Sequence, residues 1–382
     1  MRRRNGTIKE VALVFLRLGT IAFGGPAAHI AMMRDEVVRR RGWVTDQRFA
    51  DLIGATNLIP GPNSTELAIH LGFDRGRWRG LITAGVCFIL PAALIVTALA
   101  WAYVRYGGTP AVAGVLYGVT PVVVAIIAHA LAGLVRTVIK GVWLGVLAAG
   151  VLAGYLLGVN ELVLLFGGGA VAGLAHLIRH PPSPGGRHAL VSAPLLLTAR
   201  PGFPAADGAD LAQLFLTMLK IGAVLYGSGY VLLAFLDGDF VDRLGWITER
   251  QLLDAVAIGQ VTPGPLFTTA TFVGYLVAGP LGAFLATVAI FLPSFVFVGL
   301  LTRLTDRLRS RAWTGALLDG VNAASLALMA GVSAELARQA VVDPLTLAVA
   351  VAALGLLWRT RIHHAWLIAG GALIGVAHAL LT

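Results

Sequence analysis

Three stretches of this chain, Gly80 to Tyr103, Val112 to Val135 and Leu281 to Leu301, carry no charged side chain. Each is about 20 residues or longer, enough for a helix rising about 1.5 Å per residue to cross a hydrocarbon core of about 30 Å. Uninterrupted apolar runs also exclude an outer-membrane barrel, whose strands alternate over about 10 residues. Of 382 residues, 57% are hydrophobic and 13% charged, where a soluble domain carries about 25% charged residues. The expected fold is an all-α polytopic membrane protein. The single cysteine, Cys87, lies inside an apolar run, so neither a disulfide framework nor a Cys-based metal site is expected. No other cofactor is expected. The basic start, MRRRNGTIKE, leads into a helix without a small-residue cleavage site, so it reads as a retained first helix.

The formal net charge of +10 comes from short basic clusters between the apolar runs. That is the distribution the positive-inside rule produces, and no nucleic-acid partner is expected.

The chain is internally repeated. An offset of 203 residues places GWVTDQRFADLIGATNLIPGP, from Gly42, on GWITERQLLDAVAIGQVTPGP, from Gly245, with seven of 21 positions identical. The same offset pairs Arg17 with Lys220, Gly19 with Gly222 and Gly24 with Gly227, and an offset of 202 aligns the runs ending at Pro91 and Pro293. A duplication of this kind divides the chain into repeats at 1–178 and 208–382, joined by a Pro/Gly-rich linker over 179–207.

Equivalent loops carry opposite charge. Arg34, Arg39, Arg40, Arg41 and Arg48 outnumber the acids of the first loop, whereas Asp237, Asp239, Asp242 and Glu249 outnumber the bases of the second. By the positive-inside rule the first loop is cytoplasmic and the second external, so the repeats are expected to have inverted topology with about five spans each. Beyond the first helix, spans are expected over 81–104, 112–135, 142–158, 162–178, 211–236, 281–301, 316–337, 345–358 and 366–381. The segment from Phe49 to Phe73 has basic loops on both sides and Pro60-Gly61-Pro62 at its centre, so it is expected to be a re-entrant hairpin of two half-helices. Pro263-Gly264-Pro265 is the same device in the second half. A break at Gly24-Gly25-Pro26 would turn the first helix back and reconcile the basic N-terminus with the rule.

Paired broken helices are the expected substrate site of a transporter, because their free backbone groups face one another near the membrane midplane. Candidate binding residues are Gly24, Gly25, Asn57, Pro60, Gly61, Pro62, Asn63, Ser64 and Thr65 in the first half. Their counterparts are Gly227, Gln260, Thr262, Pro263, Gly264, Pro265, Thr268 and Thr269. Such helix starts offer N–H donors and hydroxyls to an anion. The competing reading is that these groups only cap the broken backbone. Arg17 and Lys220, equivalent cations inside apolar helices, fit the two sides of a dianion, with snorkelling or pairing to an acid such as Glu66 as the alternative. Glu66 is also the candidate for proton coupling, since apolar surroundings disfavour an ionised carboxylate. His29, His70, His129 and His176 lack metal-ligand spacing and read as packing or interfacial histidines, and Gly167-Gly168-Gly169 reads as close helix packing.

FGGPAAHIAMM (Phe23 to Met33), GWVTDQRFAD, NLIPGPNSTELAIHLG (Asn57 to Gly72), QVTPGPLFTTATFVGY (Gln260 to Tyr275) and FLPSF (Phe291 to Phe295) resemble, in order, the signature blocks of the chromate ion transporter family in its long-chain form. The resemblance covers both halves. It implies a two-domain protein of the cell inner membrane that exports chromate and so confers resistance, with sulfate as an analogue and a homodimer as a candidate assembly. The second half answers GGP with Gly227-Ser228-Gly229, so nothing about Pro26 carries over there. An intramembrane lipid-phosphate hydrolase would need an arginine at the tip, and neither tip has one; an enzyme is not expected. Another small oxyanion, or a passive anion channel, fits the same residues.

Overall fold

A computed structural model describes residues 8–22, 25–56, 59–107, 109–179, 211–226, 231–308, 312–360, 362 and 364–381. The described residues are helical, with no strand among them. The first half comprises α1 (Ile8–Ile21), α2 (Gly25–Arg34), a π-helical turn (Asp35–Arg40), α3 (Asp46–Thr56), α4 (Asn63–Tyr106), α5 (Pro110–Val138), α6 (Val142–Leu156) and α7 (Glu161–Arg179). The second repeats this order: α8 (Leu211–Val224), α9 (Leu232–Leu236), a π-helical turn (Asp237–Arg243), α10 (Glu249–Val261), a 3-10 turn (Leu266–Thr268), α11 (Thr269–Leu308), α12 (Ala312–Ala340), α13 (Pro344–Arg359) and α14 (His364–Leu381). The irregularities recur with the helices, as both π-helical turns show.

This is an all-α, multi-pass membrane protein. Six helices are long and apolar enough to cross a bilayer, within α4, α5, α7, α11, α12 and α14, while α6, α8 and α13 are apolar but shorter. Large apolar side chains such as Leu94, Val104, Phe284, Val296 and Leu373 are exposed on the outer surfaces of these helices, as lipid-facing positions require. The single helix expected over 211–236 is not formed: α8 ends at Val224 and α9 starts at Leu232. The equivalent break separates α1 from α2, where Gly25 has φ 77°. At the first break the positive φ of Gly25 is one that glycine accepts readily and that ends a helix.

Within α4 the chain reverses at Gly76 and Arg77 (φ 54°), and within α11 at Ala278 and Gly279 (φ 60°). The reversal is visible in packing. Gly72 and Gly80 would stand about 12 Å apart along a straight helix, yet a Cβ on either would strike the other's carbonyl oxygen, and Gly274 and Gly282 are related in the same way. The segment before each reversal therefore lies antiparallel against the long apolar segment that follows it.

The helices assemble into two groups, each drawn from both halves. In the first, α1 packs on α4, α8 on α11, and α4 on α11. In the second, α5 packs on α13 and α14 while α12 packs on α6 and α7, with α5 and α12 against each other. The closing pair of each half thus packs on a helix of the other half, α6 and α7 on α12, and α13 and α14 on α5. Small residues allow the approach: a Cβ at Gly118 would meet Gly371, and one at Gly168 would lie 2.9 Å from the Ala324 Cβ. Gly168 and Gly169 of the expected Gly167–Gly169 run accordingly pack on α12, whereas Gly167 faces open space.

Candidate functional site

The two Pro-Gly-Pro tips are built alike. Proline lacks the N–H a helix interior needs, so the chain is extended at Pro62 (φ −78°, ψ 97°) and at Pro265 (φ −65°, ψ 131°) before the next helical segment begins. Between the prolines, Gly61 (φ 135°) and Gly264 (φ 97°) take conformations that side chains oppose. Each tip glycine spends its freed N–H on the other half. Gly61 donates to the Leu225 carbonyl and Gly264 to the Ala22 carbonyl, both at 2.8 Å. Ala22 and Leu225 directly follow α1 and α8, where a helix leaves its last carbonyls unsatisfied. The two bonds are images of one another under the repeat offset. Such reciprocity, in which i meets j and the image of i meets the image of j, is the mark of a two-fold relation.

The surroundings of the tips differ. Beside the first, His29 is buried, with Nε2 3.1 Å from the Ala22 carbonyl and Nδ1 3.3 Å from Ser64 Oγ. A carbonyl only accepts, so Nε2 carries the proton and Nδ1 accepts from the Ser64 hydroxyl. Glu66 is fully buried: Oε1 lies 3.5 Å from Ser294 Oγ of the other half, and Oε2 has no partner. The Thr65 hydroxyl is likewise buried without a partner. A Cβ on Gly61 would strike the Glu66 carboxylate and lie 2.7 Å from Ser294 Oγ. At the second tip the hydroxyls of Thr262, Thr268 and Thr269 turn back onto the carbonyls of Ile258, Pro265 and Leu266, at 2.7, 2.8 and 2.8 Å. Among the described residues there, Gln260 keeps a buried, unpartnered group, its Nε2. Buried polar atoms are nearly always paired. Those of Thr65, Glu66 and Gln260 leave places for a polar ligand where the two halves cross.

Arg17 and Lys220 form ion pairs elsewhere. Arg17 lies 4.0 Å from Glu36 with its side chain 59% exposed, and Lys220 lies 2.6 Å from Asp239 with its side chain 27% exposed. The acids are repeat equivalents on the two π-helical turns, and each has a further equivalent base, Arg40 at 3.7 Å and Arg243 at 2.9 Å. Arg41 adds a bond to Glu36 at 2.7 Å. The cations pair with these acids rather than with Glu66. Among the described residues, no ion pair or hydrogen bond joins either cation to a Pro-Gly-Pro residue.

Of the other expected site residues, Asn63 and Ser64 open α4, and Gly25 opens α2. Gly24, Asn57 and Gly227 lie outside the described residues. Sequence reasoning missed His29 and Ser294. His29 reads as a packing histidine because nothing local ties it to Ser64, and Ser294 belongs to the FLPSF block but reaches the first tip only through the fold.

One further asymmetry concerns the half-helices that lead into the tips. In α10, Leu252 to Ala257 are all buried, and α10 packs on α5, α12 and α14, with the Tyr103 hydroxyl bonded to Asp254 at 2.8 Å. In α3 only Phe49, Leu52, Ala55 and Thr56 are buried. A cavity of about 60 Å³ lies beside α3, lined by Arg48, Asp51, Leu52, Ala55, His70, Phe73, Asp74 and Thr302.

A multi-pass helical body whose discontinuous helices bond across its two halves beside unpartnered polar groups has the architecture of a membrane transporter. The family model described as chromate transporter matches residues 9–174 and 212–376, and the chain belongs to that family. It is 35% identical to the chromate transport protein of Cupriavidus metallidurans, over 98% of this chain and 94% of that one. It is 32% identical to the chromate transport protein of Pseudomonas aeruginosa, over 94% and 90%, and 31% identical to the probable chromate transport protein of Synechococcus elongatus, over 92% and 90%. No solved structure matches the chain.

Proposed function

We propose that this protein exports the chromate dianion across the cell inner membrane, with sulfate competing as an analogue, and that the two halves are inverted with respect to the bilayer. What supports the reading is the reciprocal bonding of the two Pro-Gly-Pro tips across the halves, with buried, unpartnered groups on Thr65 and Glu66 after the first tip and on Gln260 before the second. The oxyanion is held by the helix starts after Pro62 and Pro265, with Thr65 and Gln260 as side-chain donors, while the Ser64 hydroxyl is engaged by His29. Arg17 and Lys220 act from their π-turn acids, as positive lining of the approach. A dianion beside an ionised Glu66 would repel it strongly in apolar surroundings. Glu66 is therefore the acid form when the substrate sits there, which ties transport to a proton. An inside-negative potential drives a dianion outward by roughly 4.6 kcal/mol per 100 mV.

Because each half's closing helices wrap the other half, alternating access moves the group containing α1, α4, α8 and α11 against the group containing α5–α7 and α12–α14. The halves do not separate. The exposed α3 and enclosed α10 correspond to a state open on the α3 side, which charge distribution assigns to the cytoplasm.

Radiolabelled chromate flux in oriented vesicles under a clamped potential tests the reading. The expected result is saturable, outward-favoured flux inhibited by sulfate. Folded protein that moves sulfate but not chromate would replace the substrate, and non-saturating flux would make it a channel.

A further inference from the structure

We infer that His70 connects Glu66 to the water-filled side of the protein, forming with Asp74 a one-sided proton path along the first half-helix of α4. The inference rests on the proposed proton coupling at Glu66 and supplies its route. Glu66, His70 and Asp74 lie at intervals of four before the reversal at Gly76, so they share one face of the helix and rise about 6 Å per step. One end of this row is the Pro-Gly-Pro tip, where Glu66 is buried with Oε2 unpartnered. The middle is His70, 3% exposed, with Nε2 also unpartnered. The other end is the cavity beside α3, which His70 and Asp74 both line.

Two unpartnered groups one helical turn apart, the second lining a cavity, differ from a packed core, in which such groups find partners. A single water or a change of rotamer bridges the interval. The groups facing His70 are Arg48 and Asp51 from α3, Asp74 from its own helix and Thr302 from α11. Those facing Glu66 are Ser294 from α11 and, at longer range, Tyr226. Arg48 holds Asp74 through two bonds, at 2.7 and 3.0 Å, which fixes the carboxylate at the cavity end. In one transfer a proton from cavity water joins the His70 ring, and the imidazolium passes a proton to the Glu66 carboxylate; the reverse sequence discharges it. No other bond changes. The second half has no equivalent, since the repeat offset places Thr269, Val273 and Val277 at these positions.

The test reconstitutes full-length protein and follows labelled chromate and a trapped pH dye together. Wild type, His70→Gln and Asp74→Asn are compared, and chromate binding is measured separately in detergent. The inference expects chromate-linked proton movement in wild type to fall at least 10-fold in His70→Gln and several-fold in Asp74→Asn. Chromate affinity should stay within twofold, and potential-driven flux should persist. Unchanged proton movement in a folded His70→Gln protein overturns the path. Chromate flux with no linked proton movement in wild type overturns the path while leaving chromate transport standing. Folded wild type without chromate flux overturns the proposed function itself, and the path with it.

Discussion

The two Pro-Gly-Pro tips share a backbone and differ in chemistry. Both glycines donate to the carbonyl that follows a helix in the opposite half, so the duplicated motif does one structural job twice. Around the second tip three threonine hydroxyls return to their own chain. Around the first, His29, Ser64, Glu66 and Ser294 form a polar group drawn from both halves, with Glu66 Oε2 unfilled. Leu232, Phe267 and Thr269 stand where His29, Ser64 and Glu66 would be, and Phe267 instead packs against Phe291 with ring centroids 6.0 Å apart. Duplication thus supplied a symmetric frame, and divergence confined the ionisable chemistry to one side of it. In the proposed cycle the symmetric frame would give two states of related geometry, and Glu66 would be the single coupling point.

The shared backbone is the part whose loss should matter most. Gly61→Ala puts a methyl group against Glu66 and Ser294 in a conformation alanine resists. Gly264→Ala meets the Ala92 Cβ at 2.7 Å. Each is expected to lower stability by about 2–4 kcal/mol and flux by more than about 100-fold, read by thermal unfolding and vesicle transport. If either glycine tolerates alanine, the reciprocal bond is not what holds the tips.

A smaller effect is expected from erasing the chemical difference. Glu66→Thr converts the first tip to the second and should abolish linked proton movement while reducing flux about 10-fold or more. Thr269→Ser, on the other side, should change flux less than about threefold. Equal losses in the two variants would show that the asymmetry is incidental.

The ion pairs should give the smallest separation. Lys220→Ala strips a half-buried partner from Asp239, and a cost of about 1–3 kcal/mol is expected, between surface and buried pairs. Arg17→Ala removes a mostly exposed, 4.0 Å contact from an acid that keeps Arg40 and Arg41, so its cost should stay near about 0.5 kcal/mol. A double-mutant cycle with Asp239→Asn checks the assignment. Coupling near zero would return Lys220 to direct substrate contact.

Much of this was legible along the chain because membrane insertion is a local demand. Every span must be apolar for its length and satisfy its own backbone, so Val112 to Val135 announces α5 without reference to any other segment. The breaks at the Pro-Gly-Pro tips are equally readable, because proline and glycine act on their own backbone, whereas Gly24-Gly25-Pro26 reads only as a conditional turn. The continuous helix over 211–236 failed because apolar character continues through the glycines, and periodicity alone does not mark a break. Arg17 and Lys220 are legible as costly cations, but their partners lie 19 residues further on, on turns whose π-helical form the sequence does not declare.

By itself, then, the sequence determined the class of solvent, the helical architecture, the duplication and the helix breaks at the two Pro-Gly-Pro tips, since each follows from residue type and spacing. Only the tertiary structure decided that each tip bonds to the opposite half, that His29 and Ser294 join Ser64 and Glu66, and that His70 meets a cavity. Those contacts join residues tens to hundreds of positions apart. Their energies depend on which buried groups find partners in the packed protein, a property of the whole assembly that no local stretch of chain encodes.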